Sequence, residues 1–138
     1  MTNITATARR DARAADALLR STIVLLTLVT AAVHASLGGL LFTANAIGYT
    51  VLAVFMVLPG PLGHFRALVR LALVTFAAAT IGGWLLFGAR FPIAYFDKAV
   101  EVALVMAVGF ELWYVDGGPA GITRQARGAM QAVLRAVR

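Results

Sequence analysis

The stretch STIVLLTLVTAAVHASLGGLLFTANAIGYTVLAVFMVL, residues 21–58, contains no charged side chain. As one continuous helix it would reach roughly 57 Å at about 1.5 Å per residue. A bilayer hydrocarbon core is only about 30 Å thick. A segment this long and this apolar therefore folds back on itself, and GGLLFTANA is where it can do so. Gly38 and Gly39 loosen the helix, and Thr43 or Asn45 is expected to cap the next one. The reading is two spans, 21–42 and 45–58, the second closed by Pro59, Gly60 and Pro61.

The rest of the chain has the same character. Of 138 residues, 61% are hydrophobic and 13% are charged, against about 25% charged in soluble domains. Further apolar runs at 68–87 and 93–114 bring the expected number of spans to four. The expected fold class is therefore all-α integral membrane, a four-transmembrane-helix bundle over 21–114. The absence of cysteine excludes disulfides, thiolate metal sites and a cysteine nucleophile.

The net charge is +6, carried by twelve basic residues. Ten of them fall in three places: Arg9, Arg10, Arg13 and Arg20 before the first run; Arg66 and Arg70 between the second and third; Arg124, Arg127, Arg135 and Arg138 in the tail. This borders the spans as topology signals do, and it argues against a nucleic-acid partner. Both termini are expected on the cytoplasmic side of a prokaryotic plasma membrane. Residues 9–35 also have the layout of a signal peptide, basic then apolar then VHA; the segment is expected to remain as the first span. Residues 1–20 read as a cytoplasmic helix running into that span. Residues 119–138 read as a basic amphipathic helix, with Ile122, Ala126, Ala129, Val133 and Val137 on one face. The four tail arginines, Arg124, Arg127, Arg135 and Arg138, suit an anionic membrane surface.

An internal repeat aligns 26–44 with 71–89 at a shift of 45, with ten of nineteen positions identical. It points to two duplicated parallel hairpins, related by an axis along the membrane normal. Small residues in AAVHASLGG and AAATIGG are expected to form packing seams. Trp84, Tyr95, Trp113 and Tyr114 fit interfacial belts.

Depth counting then places polar side chains of all four runs in one outer layer: His34, Asn45, Tyr49, Thr80, Trp84, Asp97 and Glu101. Asp97 and Glu101 are four apart and share a helix face, and Lys98 is three from Glu101. Asp97 and Lys98 read as the headgroup boundary of the fourth span. Glu101 lies a turn deeper, with His34, Asn45, Tyr49 or Arg90 as expected partners, since intramembrane carboxylates face inward and find one. No spacing of His, Asp or Glu reads as a metal site, and no catalytic constellation or phosphate loop is present. His34 and His64 lie on opposite sides of the membrane, so they cannot share a haem or metal; no cofactor is expected.

In VHASLGGLLFTANAIGY (33–49) and YFDKAVEVALV (95–105), the chain resembles small prokaryotic four-transmembrane-helix proteins of unknown function. Those families carry a histidine near the end of span 1, a glycine-rich second span and an acidic-basic start to span 4. His34, Gly48, Asp97, Lys98 and Glu101 stand in those places, and the likeness covers about residues 20–113. It implies the architecture and no activity. The functional expectation is a non-enzymatic membrane protein whose partners are the bilayer and itself or other membrane subunits, acting as an accessory of a larger complex. The alternative is a small transporter or channel for an ion, proton or small ligand using the Glu101 layer. An enzyme or a haem or quinone protein is the weakest reading.

Overall fold

The computed structural model describes residues 2–58, 66–114 and 117–136. The Pro59–Pro61 breaker, His64, Asp116, Val137 and Arg138 lie outside the described residues, as do the side chains of Arg9, Ile122, Ala126, Ala129, Val133 and Arg135. Five helices follow in order: α1 (Thr2–Leu37), α2 (Leu40–Val57), α3 (Arg66–Phe87), α4 (Pro92–Tyr114) and α5 (Gly118–Ala136). No strand occurs among the described residues.

One continuous helix, α1, carries both the arginine-bearing leader and the first apolar run. It ends five residues earlier than the apolar pattern suggests. Gly38 and Gly39 both take positive φ, 69° and 83°, a conformation that costs glycine little and L-residues more. The chain reverses over these two residues, and α2 starts at once, with the amide of Thr43 already bonded to the carbonyl of Gly39 at 3.0 Å. Gly39 is the N-cap and no side chain caps α2. Thr43 and Asn45 are inside the helix and do not serve as its cap. The aligned position in α3 behaves differently. Gly83 is helical and α3 continues to Phe87, because the partner of Gly39 in the repeat is Trp84, for which a left-handed turn is strained.

Helices α1 and α2 form one antiparallel hairpin, and α3 and α4 form the other. Helix α1 also packs along α4, and α2 along α3, closing a four-membered ring. The core between them holds Ile23, Tyr49, Met56, Leu73, Ala77, Leu104 and Val108. At the α2–α3 seam the Phe76 ring lies on Gly48, where an added Cβ would come within 2.7 Å of the ring. That glycine lets the two helices approach, and Phe76 in turn sits edge-on to Tyr49, with ring centroids 4.8 Å apart. Helix α5 follows positive-φ Gly117 and Gly118 and lies against α3 and α4 at the end away from the α1–α2 turn. Arg124 and Arg127 on it are exposed. Of the small residues expected as seams, Ala31 and Ala77 are buried, whereas Ala35, Ala78, Ala79 and Gly83 are exposed.

The outside of α1–α4 is apolar. Leu25 and Leu28, Val51 and Val54, Leu71 and Leu85, Val102, Met106 and Phe110 are all exposed. A water-soluble domain does not present so continuous an apolar surface. Helices α1 (from Arg10), α2 and α3 are long and apolar enough to cross a membrane. Helix α4 is long enough, with 23 residues, but carries Asp97, Lys98, Glu101 and Glu111. Its three carboxylates are buried, at 2%, 0% and 0% exposure, so its charges point into the bundle and its outward side is apolar.

Arg70 departs from the sequence reading. It lies in the second turn of α3, buried, and its guanidinium is bonded to the Glu111 carboxylate of α4. It is part of the bundle and not of the α2–α3 connection. Removing one partner of a buried ion pair costs about 3–5 kcal/mol, while replacing both by apolar groups is often neutral. Arg70→Met is therefore expected to lower the unfolding midpoint in detergent strongly, and Arg70→Met with Glu111→Leu to recover most of the loss. A double variant no better than the single one would show that the pair is not what these residues contribute.

Candidate functional site

Each helix contributes to the site through a stripe with helical spacing. On α4 the buried positions 94, 97, 101, 104, 108 and 111 follow steps of three and four that define one face, with Leu112 beside its lower end. Pro92 sits at the first position of α4, where its missing N–H is no loss. This puts Asp97 in the second turn and Glu101 in the third. On α1, Ile23, Thr27, Thr30 and His34 form the facing stripe. Helix α2 presents Tyr49, and α3 presents Thr80.

These side chains meet. Thr30 donates its hydroxyl to Asp97 Oδ1 at 2.6 Å. Tyr49 donates to Glu101 Oε1 at 2.8 Å. Thr80 lies 2.8 Å from the same oxygen and 2.9 Å from the Tyr49 hydroxyl. Lys98 bridges the two acids, its Nζ 2.5 Å from Glu101 Oε2 and 3.0 Å from Asp97 Oδ2. Residues from all four helices thus converge on two carboxylates, and the interhelical hydrogen bonds satisfy groups that an apolar interior would otherwise leave without partners.

His34 completes the cluster. Its Nδ1 is 2.9 Å from the Thr30 carbonyl oxygen. A carbonyl only accepts, so Nδ1 carries a proton and donates it there. Nε2 faces Glu101 Oε1 at 3.9 Å, and Nδ1 lies 3.6 Å from Asp97 Oδ1. The ring packs between Phe42 and Tyr49, with centroids 6.0 and 5.6 Å away. Two carboxylates and one ammonium thus meet against the imidazole ring.

One ligand-type atom from each of His34, Asp97 and Glu101 lies within 4.8 Å of the others. Sequence spacing gave no sign of this grouping, because 63 and 67 residues separate His34 from the two acids. The ammonium of Lys98 already lies against both carboxylates. A divalent ion beside it would turn the cluster to a net positive charge unless Lys98 withdrew.

Above the cluster, at the end carrying the α1–α2 turn and the 88–91 connection, is a cavity of about 440 Å³. Its walls include the rings of Phe42, Phe76, Trp84, Phe87 and Phe91, and His34, Thr80, Asp97 and Lys98 line it on the bundle side. At the rim, Leu41 and Phe87 are 70% and 88% exposed. Glu101 does not line the cavity. It lies one layer below, fully buried, behind Lys98, His34 and Thr80.

Of the residues singled out in the sequence, His34, Tyr49, Thr80, Asp97 and Glu101 come together. Asn45 is on the cavity wall, apart from the cluster. Trp84 also lines the wall, but its indole N–H is bonded to the Ala89 carbonyl at 3.1 Å and it carries the guanidinium of Arg90 over its ring at 4.2 Å. Arg90 is thus committed to the connection, where it also bonds the Leu85 carbonyl; Lys98, not Arg90, is the cationic partner of Glu101. Asp97 is no headgroup residue but a buried member of the cluster. Thr30 was missed, although it stands four residues before His34 on the same face. The Arg70–Glu111 pair was missed too: nothing in the spacing of 70 and 111 announces it. Arg124 and Arg127 stand apart on α5.

Comparison with protein-family models, with curated proteins and with solved structures found no significant match.

The Tyr49 hydroxyl has a defined role in holding Glu101. Tyr49→Phe should keep the helical circular-dichroism signal and lower stability in detergent by about 1–3 kcal/mol, the cost of leaving a buried group short of a hydrogen bond. An unchanged unfolding midpoint would show that Glu101 does not depend on it.

Proposed function

We propose that this chain is a small, non-enzymatic four-span membrane protein that takes an ion, proton or small solute from the outer aqueous phase into the cavity above the Asp97–Lys98–Glu101 cluster, as a transporter or channel. The observation that carries this is the junction of a rimmed cavity with a buried cluster of ionisable side chains. Ionisable groups inside a membrane protein are costly and mark solute pathways more often than they mark glue. A purely structural polar lock needs no cavity over it.

Helix α4 is the fourth span in this reading. Its charges are matched inside the bundle, so only apolar side chains meet lipid. The arginines of the α1 leader, Arg66 at the start of α3 and those of α5 gather at one end. By the positive-inside tendency that end is cytoplasmic in a prokaryotic plasma membrane, and the cavity faces outward. The matched positions of the repeat support two duplicated parallel hairpins, altered where Trp84 stands in place of the second glycine.

A second reading, a self-associating or accessory subunit, is favoured by a shallow groove on the outside of α3. There Ala72, Thr75 and Ala79 continue the surface begun by Leu68 and Leu71, and small residues of this kind let another helix approach closely.

Reconstituted into liposomes, the wild-type chain is expected to move protons, monovalent cations or small solutes above the rate of empty vesicles. Glu101→Gln removes a charge-assisted anchor of the cluster, which corresponds to about a tenfold or greater loss of that flux. Background-level flux for both proteins across such a panel would overturn the transport reading.

A further inference from the structure

We infer that the ligand of the outer cavity is a small organic ammonium with an aromatic or aliphatic body, and that Lys98 is the tethered cation it displaces from Asp97. This rests on the reading of the cavity as a solute site and names the class of solute.

Three features of the cavity lead there. Its volume, about 440 Å³, is that of a small-molecule pocket; a proton or a bare metal ion has no use for it. Its walls are aromatic, and ring faces attract cations while ring edges and faces alike accommodate apolar groups. One wall already shows this, since the Arg90 guanidinium lies over the Trp84 ring at 4.2 Å. The bundle side of the cavity presents the Asp97 carboxylate, with the Glu101 carboxylate one layer below it. A ligand that fits a carboxylate set among aromatic rings is a donor that carries positive charge. Phenols and alcohols would donate but not neutralise; carboxylates would neither donate nor neutralise.

Lys98 is placed to compete. It lines the cavity, its side chain is 11% exposed, and its ammonium contacts both acids. An entering ammonium can take over the contact with Asp97 while the Lys98 ammonium keeps its contact with Glu101, so that neither buried acid is left without a cation. The exchange costs less than inserting a charge into an empty site, because the desolvation of the carboxylates is already offset in the resting state. Arg90, the other cation near the mouth, is exposed, and solvent screens it.

The test is calorimetric titration of the detergent-purified full chain with phenethylammonium, 2-phenylethanol, 3-phenylpropionate and zinc ion. Phenethylammonium is expected to bind at least about tenfold more tightly than the neutral and anionic analogues, the worth of a charge-assisted contact. Asp97→Asn should abolish that preference. Lys98→Met, which removes the internal competitor, should tighten phenethylammonium binding. The inference is overturned if the alcohol or the carboxylate binds as well as the ammonium, if zinc binds and the ammonium does not, or if a folded Lys98→Met protein binds phenethylammonium more weakly. Should that variant not fold, the ranking of the probes on the wild-type chain decides by itself. Binding of any other probe without the ammonium leaves the cavity as a solute site and removes only its class; no binding by any of the four removes both.

Discussion

Helix α4 carries Asp97, Lys98 and Glu101 within little more than one turn, and the rest of the bundle is arranged around neutralising them. A helix cannot present such a group to lipid, where each unmatched charge is costly. It can bury the group only if other helices bring partners. Thr30 and His34 from α1, Tyr49 from α2 and Thr80 from α3 are those partners. Three helices have little to say about their mutual rotation from apolar packing alone, since lipid tails are as apolar as leucine. The hydrogen bonds to the two acids supply the specificity and fix which face of each helix turns inward.

A second polar contact does the same work at the other end. Arg70 and Glu111 join α3 to α4 about 15 Å below Glu101, counted as ten residues along the helix. Between the two polar levels the core is apolar, built from Leu73, Ala77, Leu104 and Val108. The bundle is thus pinned at two heights and greased between them. The upper pin lies under a cavity that Asp97 and Lys98 line; the lower one ties Arg70 to Glu111. That asymmetry is what separates a site from a strut here.

The sequence makes much of this legible and some of it not. The charge-free 38-residue run forces a reversal, and its glycines mark the place. Counting depth along each run brings His34, Tyr49, Thr80 and Glu101 to one level, and they meet. The helix ends were harder. Apolar residues continue past Gly38, so hydropathy cannot show that two successive positive-φ glycines end α1 at Leu37. Asp97 and Lys98 have the look of headgroup residues because charge alone does not reveal direction; only the facing stripe of α1, with Thr30 in it, turns Asp97 inward. Arg70 stands among arginines that read as a topology signal, and its commitment to Glu111 is a matter of which face α3 presents. The cavity has no one-dimensional signature, since its walls come from four helix ends and a connection.

The central claim is that the outer aqueous phase reaches the cavity over the cluster and finds negative potential there. Gly83 lines that cavity, a Cβ added to it would meet nothing within 4 Å, and the chain has no other cysteine to interfere. In right-side-out vesicles a Gly83→Cys protein can be offered membrane-impermeant methanethiosulfonates of either sign. The account predicts modification from the outside, with the trimethylammonium reagent reacting faster than the sulfonate one relative to their rates on a free thiol, and loss of that preference when Asp97→Asn is added. A cysteine that reacts only from the cytoplasmic side, or reacts from outside with no preference for the cation, would contradict it.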